Sequence, residues 1–160
     1  CATEGGASVS GVDIVDNLTN NAAAGVTARD ASFSDLTIEP NHAGLSGGGV
    51  SGTGDLTFTR VTFRANSAGI DGGAISALSG DAVVTLDSCS LTGNFAEFFA
   101  ARAGGVELNG GTIVSISTDW GTRGNNAPND LALRGDRIVC EFSGVRSFTY
   151  DDGLGVGICP

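Results

Sequence analysis

The chain has 160 residues, enough for one domain, and carries 18 acidic residues against 8 arginines and no lysine, a net charge of −10. The acids are spread evenly, 8 in residues 1–80 and 10 in residues 81–160. Such a surface repels nucleic acid and anionic lipid, and it tolerates cations such as calcium. No apolar run approaches the roughly 18 residues that a membrane span requires. No leader peptide is evident, and the four cysteines fit an exported, mature chain better than an intracellular one.

In chain order, one eleven-residue phrase recurs, with apolar residues at offsets 0, 2, 5 and 7 and Asn at offset 10. It reads Ala7-Val9-Val12-Ile14-Asn17, then Ala31-Phe33-Leu36-Ile38-Asn41, Leu56-Phe58-Val61-Phe63-Asn66 and Val84-Leu86-Cys89-Leu91-Asn94. Val114-Ile116 opens a decayed fifth copy, in which Asp119 and Gly121 replace apolar residues and Asn125 arrives one place late. A second phrase ends at Val26, Val50 and Ile75, each preceded by a pair of Gly or Ala. Offsets 0 and 2 predict one period-2 strand, offsets 5 and 7 a second, and the Gly phrase a third, with corners between them. Three strands and three corners in about 24 residues describe one coil of a solenoid whose units bury their faces against their neighbours. The predicted fold is an all-β, right-handed parallel β-helix of five to six short coils. Stacked in register, Asn17, Asn41, Asn66 and Asn94 would form an amide ladder at one corner.

The later coils drift. Three extra residues after Asn94 predict a bulged loop holding Phe95, Phe98, Phe99 and Arg102, the best candidate for a binding surface. Leu131-Ala132-Leu133 repeats the Val106-Glu107-Leu108 strand. Residues 7–133 are therefore read as coils and 134–160 as a C-terminal cap tied by a Cys140–Cys159 disulfide. That bridge would contribute about 3 kcal/mol by loop closure. Cys89 occupies an inward position and is read as a core residue. At the other end the first phrase starts six residues in, with nothing to cap it. Either the chain is cut from a longer one or a partner covers that end. Cys1, Val9, Val12 and Ile14 then become candidates for contact with a second copy.

Phe63-Arg64-Ala65-Asn66 followed by Gly72-Gly73-Ala74-Ile75 resembles the repeat of the polymorphic outer-membrane autotransporter family, which pairs F-x-x-N with G-G-A-I/L/V. Ile38–Asn41 with Gly48-Gly49-Val50, and Leu91–Asn94 with Gly104-Gly105-Val106, match more loosely. Asp119-Trp120-Gly121 and Asn126 to Asp130 also look like the closing segment of exported bacterial β-helix proteins. The resemblance spans residues 7–133. It implies the fold and a secreted or surface location, and is nearly silent on activity.

Catalysis finds little in the sequence. Lyase chemistry on a β-helix needs a base beside calcium held by carboxylates. Lysine is absent. Asp35, Asp87 and Asp119, with Arg60 and Arg64 placed near Asp87 by register, read as a solvated, partly paired face. His42 reads as a loop residue with no Ser or Cys nucleophile in register, and Trp120 as packing. Asp151-Asp152-Gly153 reads as a turn rather than a calcium loop. Thr37, Thr62 and Ser90, beside Thr57 and Thr85, make outward rows of the kind that could bind ice, interrupted by Asp and Arg. No catalytic residue and no resident cofactor or metal is assigned, with calcium the one ion the charge would admit. The expectation is a non-enzymatic extracellular or cell-surface protein that stacks head-to-tail with copies of itself into a fibre or layer. An adhesin or carbohydrate-binding module comes second, and a polysaccharide-active enzyme third.

Overall fold

A computed structural model describes residues 2–3, 5–97, 103–121, 126, 130–143 and 150–151, and for 2–3, 132–140, 142 and 150–151 it describes the backbone alone. Every described element is a strand. They are β1 (Ala2–Thr3), β2 (Ser8–Ser10), β3 (Asp13–Ile14), β4 (Asn17–Thr19), β5 (Val26–Ile38), β6 (Asn41–Ala43), β7 (Val50–Arg64) and β8 (Ser67–Ala68). They continue as β9 (Ile75–Ala77), β10 (Val83–Asp87), β11 (Ser90–Thr92), β12 (Phe95–Ala96), β13 (Val106–Ile116), β14 (Leu131–Ser143) and β15 (Tyr150–Asp151). Every pairing is parallel, between one coil and the next. One sheet runs β1-β5-β7-β10-β13-β14-β15, with the short strands β2, β3, β9 and β11 pairing alongside. The second, smaller sheet runs β12-β8-β6-β4. The result is a parallel β-solenoid of about four turns.

The repeat sets the register. Phe33 pairs with Phe58 and Leu36 with Val61, and Phe58 pairs with Leu86. Inward side chains therefore stack on their own kind. The Phe33 and Phe58 rings lie 5.0 Å apart and parallel, and Phe63 meets Phe58 edge-on at 5.2 Å. Each such fully buried side chain stabilises by about 1.5–3 kcal/mol. The corner at offset 4 has a fixed device: Gly11, Asp35, Arg60, Ser88 and Ser117 all take positive φ, between 49° and 64°. Glycines serve the opposite side. A Cβ on Gly49 would lie 2.6 Å from the Ala74 carbonyl oxygen, so the coils meet there backbone to backbone. Gly72 sits at φ +65°, which L side chains rarely adopt.

The asparagines form a continuous chain of hydrogen bonds. The backbone N–H and the Nδ2 of Asn17 both donate to Asn41 Oδ1, at 3.1 and 2.8 Å. Asn41 donates likewise to Asn66, and Asn66 to Asn94. The second Nδ2 hydrogen of each inner member goes to the strand of the coil before, at Ile14, Ile38 and Phe63 carbonyls. Asn41, Asn66 and Asn94 are buried.

The fifth coil departs from the expected reading. Val84 pairs with Ile113 and Leu86 with Ser115, so the phrase starts at Ile113, not Val114. Its inward residues are Ile113, Ser115, Thr118 and Trp120, all buried, while Ile116 is exposed. Ser115 leaves space that the Trp120 indole occupies, with Nε1 donating to Ser115 Oγ at 3.2 Å. Thr118 Oγ1 donates to the Leu86 carbonyl at 3.1 Å. The fifth ladder member is Asn126, which accepts from Asn94 at 2.8 Å, and not Asn125. Asn126 Nδ2 then donates to Asp130 Oδ1 at 2.7 Å, within its own coil.

The solenoid has about four turns, against the five to six expected. The strand pairing continues past residue 133, with Ile138–Ser143 in register on Gly111–Ile116 as a partial rung. In the first coil Val12 is 47% exposed, and Val9 and Ile14 are half-buried.

Replacing Asn66 by Leu removes the acceptor of the buried Asn41 N–H and Nδ2, and one donor to the Ile38 carbonyl. Each orphaned group costs roughly 1–3 kcal/mol. Urea unfolding should show a loss in that range or above, whereas Asn17→Leu, at an exposed position, should change the midpoint little.

Candidate functional site

The small sheet carries the most site-like arrangement. Strands β4, β6, β8 and β12 alternate, as two-residue periodicity requires. Ala43, Ala68 and Ala96 point inward and are buried. The register places Leu18, His42, Ser67 and Phe95 in one outward column, one per coil. Leu18 is 76% and Phe95 46% exposed, and the exposed Leu45 and Ile70 stand at the adjoining corner. Leu18, His42 and Ser67, with Asp16, Asn17 and Pro40 among their neighbours, line a shallow groove of about 240 Å³.

His42 does have a serine in register, contrary to the sequence reading. Ser67 Oγ lies 2.7 Å from His42 Nδ1, and Glu97 Oε1 lies 3.2 Å from the same nitrogen. A carboxylate at that distance fits Nδ1 carrying its hydrogen, with Ser67 Oγ accepting beside it. Nucleophilic relays instead place serine and carboxylate on opposite ring nitrogens. Here both partners meet one nitrogen, so the ring holds Ser67 in place without drawing off its proton. The cluster can hydrogen-bond a ligand from the imidazole, the hydroxyl and the carboxylate, beside two apolar side chains.

The arginines pair differently from expectation. Arg60 Nε and Nη2 donate to the two Asp35 oxygens at 2.6 and 2.8 Å, and Arg64 makes a fork on Glu39. Asp87 is only a minor electrostatic influence on Arg60. The hydrogen bonds that Arg60 donates hold the Asp35 carboxyl below its usual range, and the same bonds raise Arg60. Both pairs are exposed and contribute little to stability. Among the described residues no three His, Cys, Asp or Glu side chains cluster to hold an ion such as calcium. No described helix is long and apolar enough to cross a membrane.

Of the expected binding loop, Phe95 lies at the end of the groove column, and Phe98, Phe99 and Arg102 lie outside the described residues. Cys1, Cys159 and the Cys140 side chain also lie outside them, and with them the expected disulfide. Cys89 is a buried free thiol that donates to the Phe58 carbonyl at 3.3 Å.

Compared with known proteins, the chain matches no family model, no curated protein and no solved structure.

Burial pushes the Cys89 thiol up to about 11. The unfolded chain loses that proton near the ordinary thiol value, so below about pH 8 both states hold it and stability is flat. Between about pH 9 and 11 the unfolded state holds fewer protons, and stability falls as pH rises, by at most about 3 kcal/mol. Denaturation curves across that range should show the loss, and Cys89→Ala should remove it while being less stable below about pH 8.

Proposed function

We propose that this chain is a non-enzymatic, exported β-helix that acts as an adhesive module, holding a polysaccharide along its small sheet. The observation that carries this reading is the groove column of Leu18, His42, Ser67 and Phe95. It sets apolar and aromatic surface beside three hydrogen-bonding groups. Apolar walls with a few convergent polar groups are the general character of ligand sites. One residue per coil at about 4.8 Å spacing suits an extended, repeating ligand. The likeness of Phe63–Asn66 and Gly72–Ile75 to autotransporter repeats supports a cell-surface setting.

A second reading, end-to-end stacking into a fibre, rests on the first coil. The asparagine-to-asparagine bonds all donate toward the C-terminal coils, and no described group donates to Asn17 Oδ1. With Val12 exposed, this edge suits one more coil, of this chain or of a second copy. Electron microscopy distinguishes fibres from dispersed particles.

Sedimentation with a panel of insoluble polysaccharides tests the adhesive reading. The protein should co-sediment with at least one. His42→Ala and Phe95→Ala, at partly exposed positions, should each weaken binding by about tenfold, equivalent to about 1.4 kcal/mol. Binding that neither substitution alters, or no binding at all, would contradict it.

A further inference from the structure

The facet formed by offsets 0 to 3 faces away from the groove's sheet and carries a different pattern. Its two outward columns are set by the pairings of β2 with β5, β5 with β7, and β7 with β10. One column reads Ser8, Ser32, Thr57 and Thr85, and the other Ser10, Ser34, Thr59 and Asp87. Seven of the eight positions are hydroxyls. Across the bend at offset 4, Thr37, Thr62 and Ser90 add a third column.

Three features set this surface apart from an ordinary polar face. None of the seven hydroxyls makes a side-chain hydrogen bond within the described residues, so all are free to bond outward. The facet is uncharged over its first three coils, on a protein of net charge −10. Of the charges that border it, Arg60 pairs with Asp35 at the bend and Arg64 with Glu39 beyond, while Asp13 stands in line with Thr37, and Asp30 and Asp55 precede the first inward residue of their coils. The grid is also rigid, because each outward residue alternates with a buried one, and Phe33 and Phe58 stack directly beneath it. Its mesh is about 4.8 Å between coils and about 6.6–7 Å along a strand, two residues on.

A neutral, rigid, periodic array of free hydroxyls selects a neutral, periodic partner. An ion would require charge, and a flexible peptide or soluble sugar gains nothing from two-dimensional regularity. The surface planes of hexagonal ice repeat their oxygens on a rectangular mesh of similar dimensions. We propose that the facet of Ser8, Ser10, Ser32, Ser34, Thr57 and Thr59 is an ice-binding surface. Each hydroxyl takes the place of a lattice water, and the threonine methyls fill the space between rows. The surface shares no residue with the groove, so the two proposals stand or fall separately.

Slow growth of an ice hemisphere in a solution of the purified protein tests this, with the fraction of protein incorporated as the readout and crystal shape as a second. The unaltered chain should be enriched in the ice and should facet growing crystals. Thr57→Lys, in the middle of the grid, should return the protein to the liquid. Thr53→Lys, exposed on the neighbouring face of the coil, should leave incorporation unchanged. Circular dichroism checks that each variant keeps its β spectrum, and Ser32→Lys repeats the test on another coil should Thr57→Lys unfold. Exclusion of the unaltered chain from ice would overturn the proposal, as would equal incorporation of all variants. Grid-dependent adsorption to crystalline cellulose without adsorption to ice would overturn it too, and would assign the facet to a polysaccharide.

Discussion

The stacked asparagine is the interaction on which the rest of this structure depends. A parallel solenoid must keep each coil in register with the next, since a slip of one residue would turn every inward side chain to solvent. Apolar side chains alone resist such a slip only through packing. The ladder adds a directional constraint. Each inner Asn binds its successor through two donors and its predecessor's strand through a third. A shift of one residue would break all three and leave buried polar groups unpaired, at the desolvation cost of each. The low-dielectric corner raises that penalty.

The ladder is polar, and that polarity shapes the two ends differently. Donors run from Asn17 toward Asn126, and the last amide ends on the buried Asp130 carboxylate. That acceptor lies in the same coil as Asn126, not in the next one, unlike every earlier link of the ladder. At the opposite end no described group donates to Asn17 Oδ1. Register set at the corner is then inherited by the outer surface. His42, Ser67 and Glu97 meet although they come from three coils. The same register aligns seven hydroxyls into two rows.

Much of this was legible in the sequence, and the reasons for the remainder are physical. The apolar offsets of coils two to four predict their inward faces because each phrase position repeats with similar volume. The ladder was legible for the same reason. Coil five was misread by one residue because Val114 and Ile116 are more apolar than Ile113 and Ser115. Trp120 supplies the missing volume from offset 7, where no earlier coil has an aromatic larger than Phe63. Anchoring on Trp120, or on the bend residue Ser117, would have found the register. The Arg60–Asp35 pair was also within reach, since both occupy offset 4. So was Ser67, which stands 25 residues after His42 at the same phrase position. Glu97 was not, because its carboxylate reaches back across the column from a position two residues beyond it. The hydroxyl grid was only half seen, through threonines, because Ser8, Ser10, Ser32 and Ser34 give no apolar signal.

Side-chain amide hydrogen exchange, measured by NMR on uniformly labelled protein, tests the ladder most directly. The account predicts that the Nδ2 protons of Asn41, Asn66, Asn94 and Asn126 exchange slowly, near the rate of global unfolding, while those of Asn17 exchange quickly. Fast exchange at Asn66 and Asn94, in a chain that otherwise keeps its protected β-sheet amides, would contradict it.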